Sequence, residues 1–540
     1  MTQRHLLIAL LCLAWIVPGL IGHDPWKSDE AYTFGVVYEL LQGGSWLAPS
    51  LAGEPFLDEP PLYYLSAAAT AWLTSAILPL HDGARLATGL YMALTLLFCG
   101  MASRELNGRG KGAIAALLML GCFGLVLRSH QIITDIAALA GFALGYYAMA
   151  LAPRRAVPGG LLLGTAIGMV FLSQGVLDTV IVILIALTLP LVSTAWRTRD
   201  YAKTLGVAAL IAVPAIAAWP LALHLQSPAL LEPWLHHDLR ALFTGQGREV
   251  FYFLRALPWY TWPVWLVCLW TLWMARRQSP QIQNLYSAPA IALPLTGLVL
   301  TLALLSIGSN ARDVHALPLL PAMALLAVPG IASLRRGAAN AWLWFSVVAA
   351  TFFIVVGWFY WSGLELGAPA RLHAHLHRLQ PGYTPGFKAL AFALAALYTV
   401  AWFVLVARLK RIAERPVIAW AAGVTVIWGL LNILFLPWID TGKSYRSVFV
   451  NLQKNLPAQT RCVSSLHLGE SQRAMLHYFA DVVTHREEIA TRRRDCDVLL
   501  IQGVAKDERA RAGWKKIWEG ARPGDKVERY RLYQRVAISR

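Results

Sequence analysis

Two pairs of adjacent carboxylates stand near the amino end of the sequence, in a polar stretch that follows the first apolar segment. They are Asp29–Glu30, within WKSDEAY, and Asp58–Glu59, within GEPFLDEPPLYY. Charge beside a lipid bilayer is unfavourable, so its recurrence there indicates a working site. A partly buried carboxylate can act as a general base. The alternative interpretation is a loop whose acids are solvated and have no function. Asp29 and Glu30 would also suit the first turn of a helix.

Two prolines follow Asp58 and Glu59, and the residue before a proline is restricted to an extended backbone. Two carboxylates held rigidly in this way are suitable ligands for a hard divalent cation. We therefore predict a divalent metal cation, of a kind that the sequence does not specify, at Asp58 with Glu59 beside it. A proline-terminated loop with solvated acids is the alternative.

Further candidates lie in other polar segments. Asp135, in ITDIAALAGF, stands at the outer end of a predicted membrane span, where an acid requires a partner or a function. Arg128, across the preceding turn, could be that structural partner. Arg248 and Arg312 lie in two later loops, and a guanidinium group is suited to holding phosphate by parallel hydrogen bonds.

The composition places these residues in a membrane protein. Of 540 residues, 57% are hydrophobic and 14% are charged, whereas soluble domains have roughly 25% charged residues. Apolar runs long enough to cross a bilayer recur along most of the chain. The net charge of +17 is explained by basic clusters between these runs, and no nucleic-acid-binding motif is present in the sequence. The predicted class is a polytopic α-helical membrane protein.

The apolar runs predict about thirteen transmembrane helices within residues 1–436. Under this count every basic cluster falls on one side, which places the N-terminus in the cytoplasm and the loop of residues 23–80 in the periplasm. Residues 437–540 are charged, and short β-prone runs alternate there with a helical segment, so we predict a small periplasmic α/β domain. Cys462 and Cys496 both lie in it, and they could pair if the compartment is oxidising or stay free.

Six segments occur in a fixed order along the chain: WKSDEAY, GEPFLDEPPLYY, IITD, FYFLRALPW, SNARDVHALPLLP and KSYR. In this order they resemble the GT-C glycosyltransferases of the ArnT and protein O-mannosyltransferase superfamily. Within that superfamily they are most similar to the bacterial aminoarabinose (lipid A) transferases. The resemblance covers nearly the whole chain and implies the GT-C fold.

The resemblance implies inverting transfer of a sugar from an undecaprenyl (polyprenyl) phosphate donor. The acceptor would lie at the periplasmic face of the bacterial inner membrane and would be lipid A, lipopolysaccharide or another envelope glycan. Asp29 and Asp135 match acids of the family and are the predicted catalytic residues, with Glu30 beside them. Asp58 takes the place of a Glu that contacts metal or phosphate.

The donor phosphate would be bound by Arg312 and Arg248 and at the position of Glu59, where the family has a Lys. Other departures are Tyr32, Ala311 and Gln174, where the family often has a cation. Because cations are lost on the donor side, we expect Glu59→Lys to be tolerated or activating. A non-catalytic transporter or flippase of lipid-linked sugars, with Asp178 as its midplane charge, and a protein O-glycosyltransferase are the alternatives.

Overall fold

The structure, a computed structural model, describes residues 3–243, 251–278, 288–308, 311–489, 495–506 and 512–536. Helices dominate it, as the apolar runs predict. Up to residue 443 they are α1 (Gln3–Ile16), α2 (Asp29–Leu41), α3 (Leu62–Thr74), α4 (Leu80–Asn107), α5 (Gly112–Leu120), α6 (Phe123–Arg128), α7 (Asp135–Leu151), α8 (Ala156–Gln174), α9 (Val176–Val192), α10 (Arg199–Gln226), α11 (Pro228–Phe243), α12 (Tyr252–Tyr260), α13 (Val264–Gln278), α14 (Pro289–Gly308), α15 (Leu319–Ser333), α16 (Arg336–Glu365), α17 (Ala370–Leu379), α18 (Ala389–Arg408) and α19 (Arg415–Lys443). Two 3₁₀ turns, Thr194–Trp196 and Asp313–Ala316, precede α10 and α15.

The predicted spans coincide with these helices. In the described part of the chain, eight helices are long and apolar enough to cross a membrane by length and composition: α4, α8, α10, α14, α15 with its preceding turn, α16, α18 and α19. Three shorter apolar helices are α1, α7 and α9. The span predicted over residues 112–127 is divided into α5 and α6, which meet at Gly121–Cys122. The chain is thus a multi-pass membrane protein.

The loop predicted over residues 23–80 is largely ordered into helices. Asp29 and Glu30 form the acidic first turn of α2, where negative charge interacts favourably with the helix dipole. A two-stranded antiparallel hairpin follows, formed by β1 (Ser50–Leu51) and β2 (Glu54–Pro55). Next, α3 packs along α4 through one buried face of small and aromatic residues. The hairpin and α3 therefore fix the two ends of the segment that contains Asp58 and Glu59.

The C-terminal part forms a small α/β domain, as predicted. It contains α20 (Arg446–Lys454), α21 (Glu470–Ala480), β3 (Val463–Leu466), β4 (Thr484–Arg486), β5 (Val498–Val504), β6 (Trp514–Gly520) and β7 (Glu528–Arg535). The strand order is β4-β3-β5-β7-β6, with β3 parallel to β4 and β5, and β7 antiparallel to β5 and β6. The predicted boundary at residue 437 falls inside α19, which continues to Lys443.

The two parts of the chain share buried apolar residues. One cluster extends from the membrane helices into the α/β domain, where it includes Met475, Leu500 and Tyr530. Helix α2 packs directly on α21. Cys462 and Cys496 form a disulfide, which connects the segment before β3 to the segment before β5. The α/β domain is therefore packed against the same helix that carries the first pair of acids.

Candidate active site

Asp29 lies at the start of α2 and is the centre of a group of polar side chains. Its carboxylate is 7% exposed. It accepts hydrogen bonds from the Tyr32 hydroxyl at 3.2 Å and the Ser28 hydroxyl at 3.1 Å, and it forms an ion pair with Arg312. Burial is the largest influence on the pKa of Arg312 and lowers it, but Asp29 and Tyr32 together raise it more, so that pKa is raised overall. Arg312 therefore stays cationic beside Asp29.

A second guanidinium group lies on the other side of Asp29. The Nη1 atom of Arg128 is 3.9 Å from the second carboxylate oxygen of Asp29. The same side chain donates to both carboxylate oxygens of Asp313 over 2.7–3.2 Å. Arg128 was considered as a structural partner of Asp135, but its ion pairs in the structure are with Asp313 and Asp29, because the turn before α15 brings Asp313 close. We call Asp29, Arg128, Arg312 and Asp313 the arginine cluster.

Asp135, the first residue of α7, lies on the same side of the molecule as Asp29. Its Oδ1 atom is 4.0 Å from Nδ1 of His315, which follows Arg312 by three residues. Tyr32 donates a hydrogen bond to Asp29, and the carboxylates of Asp29 and Asp135 raise the pKa of its phenol beyond the increase that burial causes. The two acids are therefore near each other, and the catalytic roles predicted for them stay predictions.

Glu59 lies in a group of carboxylates beyond Asp135. Burial raises the pKa of Glu59 well above the usual range, and the nearby carboxylates of Asp135, Asp58, Asp238 and Asp178 raise it further. The resemblance leads one to expect a Lys at this position, and Glu59 supplies no cation there.

The starts of two membrane helices and α11 bring these acids together. Asp238, on α11, accepts a hydrogen bond at 2.9 Å from the backbone N–H of Val176, the first residue of α9. Gly175 has φ of +75°, and a Cβ there would lie 2.5 Å from the Asp238 carboxylate. Asp178 follows in the first turn of α9. It was considered as a midplane charge, but it lies at a helix end beside the other acids.

The Tyr64 hydroxyl is directed toward the same region. Tyr64 is fully buried on α3, and its oxygen has no hydrogen-bond partner among the residues that the structure describes. Burial raises the pKa of Tyr64 well above its usual value, and Glu59 is the neighbouring charge that raises it most. A buried hydroxyl without a partner is unfavourable by roughly 1–3 kcal/mol, so such a group is suited to contacting a ligand. We call Glu59, Asp135, Asp178, Asp238 and Tyr64 the acidic cluster.

Glu30 is next to Asp29 in sequence but has different partners. It is 2% exposed and accepts a hydrogen bond at 2.8 Å from Arg85, which is fully buried on α4. The backbone N–H groups of Trp26 and Ile132 also donate to it. Burial raises the pKa of Glu30, but Arg85 and the other donors lower it more, so Glu30 is ionised. These contacts indicate a structural role, and the catalytic role predicted for Glu30 stays a prediction.

The predicted metal site is not complete in the protein alone. Within the described residues, no group of three or more His, Cys, Asp or Glu side chains is arranged to hold a metal ion. Asp58 is exposed, and burial and the neighbouring carboxylates raise the pKa of Glu59 beside it. The residues present therefore do not fit a protein-held divalent cation, and no step is assigned to one. Arg248, predicted to bind phosphate, lies outside the described residues.

A cavity of about 710 Å³ lies elsewhere, where α19 and α20 meet the end of α1 and the start of α4. Its lining includes Asp24, His81, Asp440 and Arg446, and none of Asp29, Asp135, Glu59 or Arg312. Arg446 is already paired with Asp24 through two hydrogen bonds of 2.5 and 2.9 Å. This cavity is distinct from the arginine and acidic clusters.

Comparison with known proteins finds similar sequences and similar structures. No family profile matches the chain. The chain is 26% identical over 351 residues to undecaprenyl phosphate-alpha-4-amino-4-deoxy-L-arabinose arabinosyl transferase of Pseudomonas savastanoi pv. phaseolicola, covering 62% of each chain. It is 28% identical over 335 residues to the enzyme of the same name from Pseudomonas aeruginosa, covering 59% of this chain and 58% of the relative. The chain thus matches about three fifths of the length of these curated relatives.

Among solved structures, the chain is similar to ArnT from Cupriavidus metallidurans bound to undecaprenyl phosphate. The TM-score is 0.72 at 16% identity, over 100% of this chain and 99% of ArnT. The apo state of the same protein gives a TM-score of 0.69. At 16% identity, this structural similarity is evidence for the fold only. The chain therefore has the GT-C fold of ArnT, with a small α/β domain after its membrane helices.

Proposed function

We propose that this protein is an inverting glycosyltransferase that moves a sugar from an undecaprenyl-phosphate donor to an acceptor at the periplasmic face of the bacterial inner membrane. One observation carries the proposal. Asp29, Arg128, Arg312 and Asp135 come from four separate segments of the chain, and they meet where α2 and α7 begin, α6 ends and the turn before α15 begins. The similarity to transferases that use undecaprenyl phosphate donors supports it.

The donor phosphate would bind at the arginine cluster. Guanidinium groups hold phosphate oxygens through parallel, charge-assisted hydrogen bonds. Arg312 is 43% exposed at its side chain, so a lipid phosphate can reach it, and Arg128 is adjacent. When the bond between the sugar and the phosphate oxygen breaks, its electron pair stays on the phosphate. Two fixed cations stabilise that developing charge.

Asp29 would act on the acceptor. Its carboxylate is held by Arg312, and it can accept a proton from an acceptor hydroxyl as that oxygen bonds to the anomeric carbon. Attack opposite the departing phosphate inverts the anomeric configuration. Asp135, next to the same space, would position the acceptor or the sugar. Tyr32 donates to Asp29 and so orients it.

The sugar ring would extend from the phosphate toward the acidic cluster. Carboxylates repel a phosphate but accept hydrogen bonds from sugar hydroxyl or amino groups, and the Tyr64 hydroxyl can donate or accept. The curated relatives are named for a sugar that carries an amino group. An ammonium group would be stabilised by the carboxylates of Asp135, Asp178 and Asp238, so we propose an amino sugar as the preferred donor.

We also propose the orientation predicted from the basic clusters, with the N-terminus in the cytoplasm and the α/β domain in the periplasm. The Cys462–Cys496 disulfide supports this, because disulfides persist in oxidising compartments. Alkaline phosphatase fused after residue 540 should be active in cells, and a fusion after the basic pair Arg335–Arg336 should be inactive. The reverse pattern would contradict the orientation.

We propose separately that a divalent cation binds at Asp58 together with the donor. The donor phosphate would have to supply ligands, because the described residues hold no group of three or more suitable side chains. If it forms, EDTA should reduce transfer and added Mg²⁺ or Mn²⁺ should restore it, and Asp58→Asn should raise the cation concentration required. Transfer that is unchanged in EDTA would remove this proposal and leave the rest intact.

Purified full-length protein in liposomes tests the function directly. With an undecaprenyl-phosphate amino sugar and lipid A, we expect labelled sugar on the acceptor. A donor with the same sugar lacking its amino group should react more slowly. A transporter or flippase would move the donor across the bilayer without forming product, and a protein O-glycosyltransferase would label protein instead of lipid A.

A further inference from the structure

The C-terminal α/β domain contacts both acid-bearing segments of the first loop. Ser471, at the start of α21, donates a hydrogen bond of 2.8 Å to the backbone carbonyl of Ser28. Ser28 directly precedes Asp29, and Ser471 is buried. A residue more than 400 positions later in the chain therefore fixes the backbone at the start of α2.

The second contact holds the hairpin that leads to Asp58 and Glu59. The carboxylate of Glu54, on β2, is buried between two arginines of the α/β domain. Arg473 approaches it at 3.1 Å, and Arg486 donates to its two oxygens at 2.5 and 3.2 Å. Arg473 also donates to the carbonyl of Leu51 on β1. We call Glu54, Arg473 and Arg486 the Glu54 clamp.

A third contact brings the backbones of α2 and α21 together. A Cβ at Gly35 would lie 2.5 Å from the Cβ of Ala474 and 2.5 Å from Leu51. Real side-chain atoms do not approach so closely, so glycine is required for this packing. Helix α2, the hairpin and α21 are thus one closely packed unit.

We propose that the C-terminal domain positions the reacting groups: through Ser471 and the Glu54 clamp it fixes Asp29 and the Asp58–Glu59 segment relative to each other. The proposal rests on the proposed function, because positioning is meaningful only for a reacting site. Asp58 follows Glu54 by four residues, at most about 14 Å of extended chain, so release of the hairpin would displace it. A misplacement of about 1 Å can reduce the rate about 100-fold.

Arg486→Gln in the full-length protein tests the clamp. Arg486 is partly exposed, so its replacement should leave the domain folded, whereas Arg473 is buried. We expect kcat to fall about tenfold or more, while KM for the donor changes less than about threefold, because the arginine cluster is untouched. Arg486→Lys should recover part of the loss, since it keeps the charge.

The matched control is Arg535→Gln. Arg535 is an exposed arginine of the same domain, and its partner, Asp495, is not in the first loop. We expect wild-type kinetics. Hydrogen exchange of the purified protein without substrate gives an independent measurement: exchange over residues 50–59 should rise in Arg486→Gln and not in Arg535→Gln. If wild-type protein transfers no sugar, the proposed function fails but the exchange result still decides the positioning. Wild-type exchange and wild-type kcat in Arg486→Gln would overturn it.

Gly35→Ala tests the same proposal without removing a charge. The added methyl should separate α2 from α21, lower kcat and raise exchange over residues 28–35. Ala474→Gly removes the atom that it meets, so the double variant should regain most of the activity. Gly206→Ala is the control, since a Cβ there meets nothing within 4 Å. Wild-type kcat in Gly35→Ala would also contradict the proposal.

Discussion

The arginine cluster and the acidic cluster lie side by side, and they differ in electrostatic character. Around Asp29, each carboxylate faces a guanidinium group. Around Glu59, the neighbouring charges that raise its pKa most are carboxylates. A substrate with a negative end and a polar or positive end is oriented by such a pair of surfaces. A phosphate-linked sugar has this character, and its reacting bond would then lie between the clusters, near Asp29 and Asp135.

Removing the base should have the largest effect. Asp29→Asn keeps the size of the side chain and one accepting oxygen, but it is uncharged and cannot accept a proton from the acceptor. We expect transfer to fall by about 10³-fold, within the range for loss of general-base catalysis, with little change in donor binding. Radiolabelled sugar on the acceptor measures it. Full activity in this variant would exclude Asp29 from the reaction.

Removing a cation from the arginine cluster should have the second-largest effect on transfer. Arg312→Gln loses a charge-assisted hydrogen bond to phosphate, of about 1.5–3 kcal/mol, so KM for the donor should rise about 10- to 150-fold. Arg312→Lys should recover part of the affinity. Arg154→Gln, which changes an exposed arginine paired with Glu105, is the control. If both Gln variants have the same KM, the phosphate does not bind at Arg312.

Placing a cation in the acidic cluster should reduce the electrostatic difference between the arginine cluster and the acidic cluster. Glu59→Lys restores the residue that the resemblance leads one to expect, and an added ion pair of up to about 1 kcal/mol should improve donor affinity up to about fivefold. The same cation should repel an ammonium group, so the preference for an amino sugar should decrease. Competition between donors with and without the amino group measures this. Loss of all activity would contradict the prediction that this change is tolerated.

The smallest effect concerns stability and pH. The pKa of Glu59 is raised above its usual 4.5 in the folded protein, so the folded state binds this proton more tightly than the unfolded state. The stability linked to Glu59 is therefore full below about pH 4.5 and is lost as the pH rises through the folded pKa. Glu59→Gln removes this loss and should raise Tm by about 1–3 °C near neutral pH, and less at acidic pH.

Thermal unfolding of the purified protein across pH 5–9 measures this difference. Asp200→Asn, which changes an exposed acid on α10, is the control and should give a Tm difference that does not vary with pH in the same way. A Glu59→Gln variant that is less stable than wild type at every pH would show that Glu59 is ionised and paired in the folded protein.

Apolar runs and short motifs were sufficient to predict the membrane helices, the α/β domain and the placement of Asp29, Asp135 and Arg312. Each of these depends on local patterns or on the order of motifs. The partner of Arg128 was not predictable, because Asp313 is 185 residues away and only the packing of α6 beside the turn before α15 joins them. The acidic cluster likewise depends on how α9 and α11 pack, and no spacing along the chain indicates that Asp178 and Asp238 meet.

The two acids of the first pair show the same limit. Asp29 and Glu30 are adjacent on α2, so their side chains point in different directions around the helix axis. Asp29 faces the arginine cluster, and Glu30 faces Arg85 on α4. Nothing in the sequence around Glu30 distinguishes it from Asp29. A weak signal was available in Arg85 itself, a cation within a few residues of the start of an apolar span, which requires a buried partner.

The position of the donor phosphate tests the central claim most directly. An experimental structure of the full-length protein with undecaprenyl phosphate would locate it. We expect phosphate oxygens within about 3 Å of guanidinium nitrogens of Arg312 and Arg128, with the side facing the future sugar directed toward Glu59 and Tyr64. A phosphate bound among Glu59, Asp178 and Asp238, or in the cavity beside Asp24 and Asp440, would contradict it.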